Sequence, residues 1–224
     1  MEMAERRFPG NIDFSNIPKN HVETFIQMER LYMLYDCAIR ETRTKLENLD
    51  HEMKFVKERN PIQHITSRLK NPRSIIEKMN RYGLEISAKN IWDNITDVAA
   101  LRVICSYIED IYAVADMLKK QDDVFVLKEK DYIKHPKESG YRSLHLIVET
   151  PVFLSDEKVM VKVEVQIRTI AMDFWSSLEH QLRYKTAANV PDDIRKQLKD
   201  CAERVYGLDM EMEQIYKKIE SVDP

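Results

Sequence analysis

The residues of this chain with the clearest chemical potential lie on a stretch from Val159 to Arg168, in which apolar and polar side chains alternate. Successive side chains of a β-strand point to opposite faces, so the polar residues of this stretch share one face. They are Lys162, Glu164, Gln166 and Arg168. Periodicity alone leaves two interpretations open, an ordinary solvated strand face or part of a site.

A second carboxylate, Asp97, comes just before an apolar stretch that contains a single charge, Arg102. A charge among apolar neighbours has to be paired or directed at a ligand, because burying it alone is costly. One interpretation is a structural ion pair of Arg102 with Asp97 or with Glu164. The other places Asp97 at a strand edge opposite Glu164, where two carboxylates suit Mg²⁺ and substrate phosphates supply its remaining ligands.

Cations are concentrated on both sides of that apolar stretch. They are Arg68, Lys70, Arg73, Lys78 and Arg81 before it, and Lys128, Lys130, Lys134, Lys137 and Arg142 after it. Between Lys130 and His145 the cations are mixed with Tyr132 and Tyr141 around Gly140. Positive charge for phosphate and a ring face for the base are what a nucleotide site requires. A basic surface loop is the alternative.

Composition excludes several other kinds of chemistry. Four glycines in 224 residues are too few for a P-loop or a dinucleotide fingerprint, so lysine and arginine side chains must bind any phosphate, with or without a metal. The net charge of −3 argues against a bulk polyanion binder. Cys37, Cys105 and Cys201 are too dispersed for a disulfide framework or a zinc site. No signal peptide or membrane span is visible, which predicts a cytoplasmic protein.

Helical periodicity predicts long helices toward both ends of the chain. Apolar residues recur on one face over residues 22–56, and Asn60 with Pro61 ends that helix. A second stripe covers residues 192–221. Apolar helix faces of this length must pack against another surface, which is either the other of the two helices or another subunit.

Between these helices the pattern is that of one α/β domain. Asn71 and Pro72 begin a helix that runs to Asn80 with Gly83 behind it, and Ser87 can cap a short third helix. Further helices are predicted at 109–120 and 169–184, and strands at 101–107, 124–130, 143–149 and 159–167. The last two strands form a neighbouring pair across a turn at Pro151 and residues 155–158.

Three segments of this chain together resemble the signature segments of the RelA/SpoT-type alarmone synthetase domain. They are ITDVAALRVI at 95–104, KDYIKHPKESGYRSLHLIV at 130–148 and VEVQIRTIAMDFWSSLEHQLRYK at 163–185. The short chain, its flanking helices and the lack of a His-Asp dipeptide indicate a small alarmone synthetase without a hydrolase half. The implied organisation is a loose lead at 1–19, a helical extension at 20–59, the synthetase domain at 60–187 and a C-terminal oligomerisation helix at 188–224.

The resemblance implies a nucleotidyltransferase-like fold, a mixed β-sheet flanked by helices. It also implies transfer of the β,γ-pyrophosphate of ATP to the 3′-hydroxyl of GDP or GTP, which gives AMP and the alarmones ppGpp or pppGpp of the stringent response. The terminal helices fit a cytoplasmic homotetramer. Two alternatives stay open, a toxic relative that pyrophosphorylates tRNA and a non-catalytic nucleotide- or RNA-binding module. The net charge disfavours the RNA substrate of the first, and the presence of Asp97, Glu164 and Tyr141 argues against the second.

Site residues carried over from the family fall into three groups. Asp97 and Glu164 would hold Mg²⁺, and Glu164 would also be the base near the acceptor hydroxyl. The ATP group has Arg68 and Arg102 sandwiching adenine, with Lys70, Ser74, Lys78 and Arg81 on the phosphates. The GDP/GTP group has Tyr141 stacking on guanine and Asp173 reading its edge, with Lys130, Lys137, His145 and Gln166 on phosphates and ribose.

Three positions depart from the usual family pattern. Ala100 replaces a common glycine, Asp173 stands where some members carry asparagine, and His64 stands where the allosterically activated branch carries an aromatic residue. With the long N-terminal helix, these features resemble the RelP-type branch.

Overall fold

A computed structural model describes residues 19–57, 59–185 and 191–222. The predicted loose lead, apart from its last residue, lies outside these ranges. The helices are α1 (Lys19–Lys57), α2 (Pro72–Arg81), α3 (Ala88–Asn94), α4 (Ile108–Lys119), α5 (Ile170–Lys185) and α6 (Asp192–Val222). The strands are β1 (Ile62–Leu69), β2 (Ala99–Cys105), β3 (Phe125–Asp131), β4 (Leu144–Phe153) and β5 (Lys158–Thr169).

The strands form one five-stranded sheet in the order β1-β2-β5-β4-β3. Strands β2 and β5 run parallel, and the other three pairs are antiparallel. The expected mixed sheet with flanking helices is therefore confirmed. Strand β1 was not predicted, because Ile62 is the only buried residue of this edge strand, which therefore lacks the apolar alternation that marks a half-buried strand.

The hairpin of β4 and β5 corrects one predicted turn. Pro151 lies inside β4, paired with Met160 of β5, and the chain turns at Leu154, whose N–H donates to the carbonyl of Glu157. The pairing of β4 with β3 ends at Glu149. Pro151 therefore sits where β4 is an edge strand, a position that tolerates a residue without an N–H donor.

The sheet has one apolar and one polar face. Val161, Val163, Val165 and Ile167 of β5 are fully buried in the core, together with apolar residues of α1 and α4. The long helix α1 packs its buried apolar residues across the sheet, which the sequence had not predicted. The opposite face carries the polar side chains of β5.

The C-terminal helix α6 packs against α5 and α4. Thr169 joins β5 to α5, and its Oγ1 accepts from the N–H of Met172 and donates to Asp209 of α6. None of the helices in the described ranges is long and apolar enough to cross a membrane.

Candidate active site

A cation-lined pocket of about 380 Å³ lies where β1 meets α2. Asn71 caps α2 by accepting from the N–H of Ser74, as predicted, and Gly83 follows the helix with a φ of 67°. The face of α2 that lines the pocket is thereby turned toward the end of β1. Five of the six residues predicted to bind ATP line this pocket: Arg68, Lys70, Ser74, Lys78 and Arg81.

Asp97 lies beside this pocket and is held by two of its lysines. Its Oδ2 accepts from Lys70 Nζ and its Oδ1 from Lys78 Nζ, both at 2.7 Å. Burial would raise the pKa of Asp97, but the two ammonium groups lower it below its ordinary value. Asp97 is therefore an ionised carboxylate at neutral pH.

The two ion pairs proposed from the sequence for Arg102 do not form. Arg102 Nη1 lies 3.2 Å from Asp173 Oδ1, at the start of α5. The predicted partners were wrong because Asp97 is already paired with lysines from β1 and α2, and Glu164 is held by its own neighbours.

The strand registers place predicted residues side by side on the polar face of the sheet. One row crosses from Arg102 of β2 to Gln166 of β5, then to His145 of β4 and Lys130 of β3. In the next row, Ala100 pairs with Glu164. The residues predicted to bind ATP and those predicted to bind GDP or GTP thus meet at Gln166 and Glu164.

Glu164 is 9% exposed, with a hydrogen bond to each carboxylate oxygen. His145 Nδ1 lies 3.1 Å from Oε1, and Gln166 Nε2 donates to Oε2 at 2.8 Å. Burial would raise the pKa of Glu164, but these bonds lower it, so the group is ionised at neutral pH. Burial lowers the pKa of His145, which keeps its imidazole neutral.

The loop between β3 and β4 brings aromatic rings and a lysine to the other side of Glu164. Lys137 Nζ lies 4.7 Å from the ring centroid of Tyr132 and 4.6 Å from that of Tyr141. The Tyr132 and Tyr141 rings meet edge to face at 6.1 Å. Burial, followed by the charge of Lys130, lowers the pKa of Lys137. This is the combination of ring and cation expected of a nucleotide site.

The helix α6 supports that loop from behind. Arg142 stacks over the Tyr206 ring at 3.9 Å, pairs with Glu203 at 2.9 Å and donates to the carbonyl of Ile133. No sequence pattern indicated this contact, since its partners are about 60 residues apart.

Arg168 is the site residue to which the sequence analysis gave no role. It is 2% exposed, and its guanidinium contacts Tyr141, Gln166, Asp173 and Ser176. The available signal was its position as the last polar residue of the alternating face of β5. Nothing local indicated that this end of the face would be buried.

Two carboxylates, Asp97 and Glu164, are the possible metal ligands of this site. Within the described ranges, no group of three or more histidine, cysteine, aspartate or glutamate side chains could hold a metal ion. Asp97 and Glu164 are nonetheless ionised, and the charge of Asp97 is close enough to act on the pKa of Glu164. Two carboxylates completed by substrate phosphates are a usual protein contribution to bound Mg²⁺, so the residues fit that ion.

Comparison with known proteins decides the family. The family described as "Region found in RelA / SpoT proteins" matches residues 67–189. The chain belongs to the RelA/SpoT family. This RelA/SpoT chain is 45% identical over 188 residues to the GTP pyrophosphokinase YwaC of Bacillus subtilis, a match that covers 84% of this chain and 90% of that protein.

Solved structures agree with the family assignment. The small alarmone synthetase 2 of Bacillus subtilis has a TM-score of 0.78 and 42% identity, covering 85% of this RelA/SpoT chain and 98% of that one. The small alarmone synthetase 1 of the same organism, bound to its product pppGpp, has a TM-score of 0.80 and 36% identity, covering 86% and 98%. The expected family and fold are therefore confirmed.

Proposed function

We propose that this protein is a GTP pyrophosphokinase that transfers the β,γ-pyrophosphate of ATP to the 3′-hydroxyl of GDP or GTP, releasing AMP and making ppGpp or pppGpp. One observation carries the proposal. In a chain of the RelA/SpoT family, the ionised carboxylates Asp97 and Glu164 lie between a cation-lined pocket and a loop of tyrosines with Lys137. That arrangement offers cations to the phosphates of a donor nucleotide on one side, and tyrosine rings with a cation to an acceptor nucleotide on the other.

The cation-lined pocket, on the donor side of the site, would neutralise the negative charge of the ATP phosphates. Transfer of a phosphoryl-type group depends mainly on alignment and on stabilising charge that develops on phosphate oxygens. Lys70, Lys78 and Arg81 supply cations to the pocket, and Arg68 with Arg102 would enclose the adenine. Mg²⁺ held by Asp97 and Glu164 would add further charge neutralisation at the transferred group.

The acceptor side orients a hydroxyl and accepts its proton. Glu164 is ionised at neutral pH, which is the state a general base requires. Tyr141 would stack on guanine, and Lys137 would contact acceptor phosphates with Lys130, His145 and Gln166. Asp173 would accept from guanine N1–H and the 2-amino group, a donor pair that adenine does not present.

We also propose that the chain assembles as a homotetramer. Ile170 and Phe174 of α5 are more than half exposed, and they line an apolar groove of about 580 Å³ with Leu208 and Met212 of α6. Exposed apolar surface of this kind marks a protein contact. Light scattering should give four chain masses for the wild type and a lower mass for Phe174→Glu. A wild-type monomer would contradict the assembly.

The remaining assignments follow from this function. Residues 60–187 are assigned to the synthetase domain, 20–59 to the N-terminal helical extension, and 188–224 to a C-terminal segment that contains α6. The enzyme works in the cytoplasm, where its nucleotides are. His64, Ala100 and Asp173 support the RelP-type branch.

A product assay tests the proposed reaction against its alternatives. Purified protein receives γ-labelled ATP, Mg²⁺ and either GDP, GTP, GMP or bulk tRNA. Label in ppGpp or pppGpp with the wild type, and none with Asp97→Ala, is the expected result. Label in tRNA would favour the tRNA-modifying alternative. No labelled product from folded protein that binds ATP would indicate a non-catalytic module.

A further inference from the structure

The β3–β4 loop, residues 132–143, carries two of the residues predicted to bind the acceptor nucleotide, Lys137 and Tyr141. Hydrogen bonds of its own backbone shape this loop. The N–H of Lys137 donates to the carbonyl of Tyr141 at 3.2 Å, and the N–H of Gly140 donates to the carbonyl of Lys137 at 2.8 Å. Both bonds lie inside the loop, so other contacts must fix its position relative to the sheet.

Arg142, the neighbour of Tyr141 in this loop, joins the loop to α6. Its side chain is only 10% exposed, and its Nη2 pairs with Glu203 of α6 at 2.9 Å. The guanidinium also lies 3.9 Å from the centre of the Tyr206 ring. Its Nη1 donates to the carbonyl of Ile133 at 2.7 Å, which ties the beginning of the loop to its end. A guanidinium can make these contacts at once because it is planar and carries several donors in a fixed geometry.

Helix α6 is itself fixed to the sheet. Asp209 accepts from the hydroxyl of Thr169, the last residue of β5. About one turn further along the helix, Glu213 Oε2 accepts from the N–H of Ile108, at the start of α4, at 3.0 Å. Since β5 also carries the predicted base, a residue that ties the β3–β4 loop to α6 sets the position of the loop relative to that base.

We propose that Arg142 is a positioning residue for the acceptor nucleotide. By holding the β3–β4 loop against α6, it keeps Tyr141 and Lys137 where a guanine ring and its phosphates would meet them. The identity of the acceptor rests on the proposed function, whereas the attachment of the loop does not.

Loss of the Arg142 contacts should therefore affect one nucleotide and not the other. Without them the loop would adopt its binding conformation only part of the time, and the apparent Kd for the acceptor rises as that fraction falls. The cation-lined pocket proposed for ATP is lined by residues of the segment 68–81 and by none of the described residues of α6. The affinity for ATP should stay unchanged.

Hydrogen exchange of the protein without nucleotides tests the attachment of the loop. Loss of the contact should speed exchange of the backbone N–H groups of residues 132–143, since local opening exposes them to water. We expect faster exchange there in Arg142→Met and in Tyr206→Leu. Tyr206→Phe keeps the ring beneath the guanidinium and should exchange like the wild type. Unchanged exchange of residues 132–143 in Arg142→Met would overturn the proposal.

Arg59→Met is the matched control, because Arg59 makes the same kinds of contact elsewhere on α6. Arg59 pairs with Asp110 at 2.7 Å and lies 4.6 Å from the centre of the Tyr216 ring of α6. This variant should lower the midpoint of thermal unfolding, as Arg142→Met does, but leave the exchange of residues 132–143 as in the wild type. Equally faster exchange of that loop in both variants would indicate a general loss of stability and overturn the positioning role.

Calorimetric titration with GDP tests the acceptor. The protein is saturated with Mg²⁺ and an ATP analogue that has a methylene group between the α- and β-phosphates, the linkage that the proposed transfer breaks. We expect Arg142→Met to raise the Kd for GDP about 10-fold, which corresponds to a loop that is competent about a tenth of the time. Arg142→Lys keeps the charge but loses the planar fork, so it should also bind GDP more weakly than the wild type. The Kd for the analogue should not change in either variant.

The outcomes separate this inference from the proposed function. A wild-type Kd for GDP in Arg142→Met, or equal losses of affinity for GDP and for the analogue, would overturn the positioning role. A wild type that binds neither nucleotide would refute the proposed function, and hydrogen exchange would still decide whether Arg142 holds the loop against α6.

Discussion

Gly140 faces Ala202 so closely that a Cβ on Gly140 would lie 2.5 Å from the Ala202 Cβ. Gly140 belongs to the loop that carries Tyr141, and Ala202 is a buried residue of α6. The φ of Gly140 is 88°, a conformation that side chains other than glycine rarely adopt. This glycine therefore allows the C-terminal helix to pack against the loop that carries Tyr141.

Gly140→Ala should destabilise the protein by at least about 1–3 kcal/mol, since it adds both backbone strain and a clash. The midpoint of thermal unfolding measures this loss. Gly207→Ala is the matched control, because nothing lies within 4 Å of the added Cβ and the position is inside α6. That variant should be stabilised by up to about 1 kcal/mol. Equal effects of the two substitutions would contradict the role of the close contact.

Glu164→Gln should nearly abolish alarmone synthesis without unfolding the protein. The substitution preserves shape but removes the charge that would accept a proton and hold a metal, and loss of a general base alone costs about 10²- to 10⁴-fold. Glu149→Gln in β4 is the control, because Glu149 faces Lys162 outside the site. Single-turnover rates with saturating ATP measure the effect. Residual activity above a tenth of wild type would argue against a base at this position.

Arg81→Ala should raise the KM for ATP about 10-fold or more, because a hydrogen bond to a charged group contributes about 1.5–3 kcal/mol. Arg81, at the end of α2, lines the cation-rich pocket proposed for ATP. Arg73 is on the same helix but pairs with Glu77, so Arg73→Ala serves as the control. Steady-state kinetics with varied ATP separate the two variants. A change in the KM for GTP rather than ATP would assign this pocket to the acceptor.

The pH dependence of folding stability should show the titration of the Asp209 carboxyl. Burial raises the pKa of its carboxyl from 3.8 to about 6, and the neighbouring charge of Glu213 acts in the same direction. The folded state therefore binds the proton more tightly than the unfolded state, and stability falls as pH rises from about 4 to about 6. The loss is on the order of 2–3 kcal/mol.

Asp209→Asn should remove that loss of stability, and the asparagine side-chain oxygen would still accept a hydrogen bond from the Thr169 hydroxyl. Chemical unfolding at pH 4.5 and pH 7 measures the free energy of unfolding. Between these two pH values the variant should lose less stability than the wild type. Asp200→Asn, at an exposed aspartate of the same helix, should follow the wild type. Parallel curves for Asp209→Asn and the wild type would show that Asp209 does not titrate in this range.

The sequence by itself determined the features that depend on a few neighbouring residues. Asn71 and Ser87 cap their helices as predicted, because capping depends on the side chain and the three residues after it. The alternation in β5 was correctly predicted to divide that strand into two faces, since the period of a strand is a local property. The resemblance of three segments was enough to identify the family.

Only the tertiary structure decided the partners of the charged residues. Arg102 pairs with Asp173, and Arg168 is buried among side chains of the β3–β4 loop, β5 and α5, because strand register and helix packing bring these distant segments together. The same holds for α1, which packs on the sheet, and for Pro151, which is tolerated because β3 ends before it. A buried charge requires partners, but its own neighbours in the chain do not specify which strand supplies them.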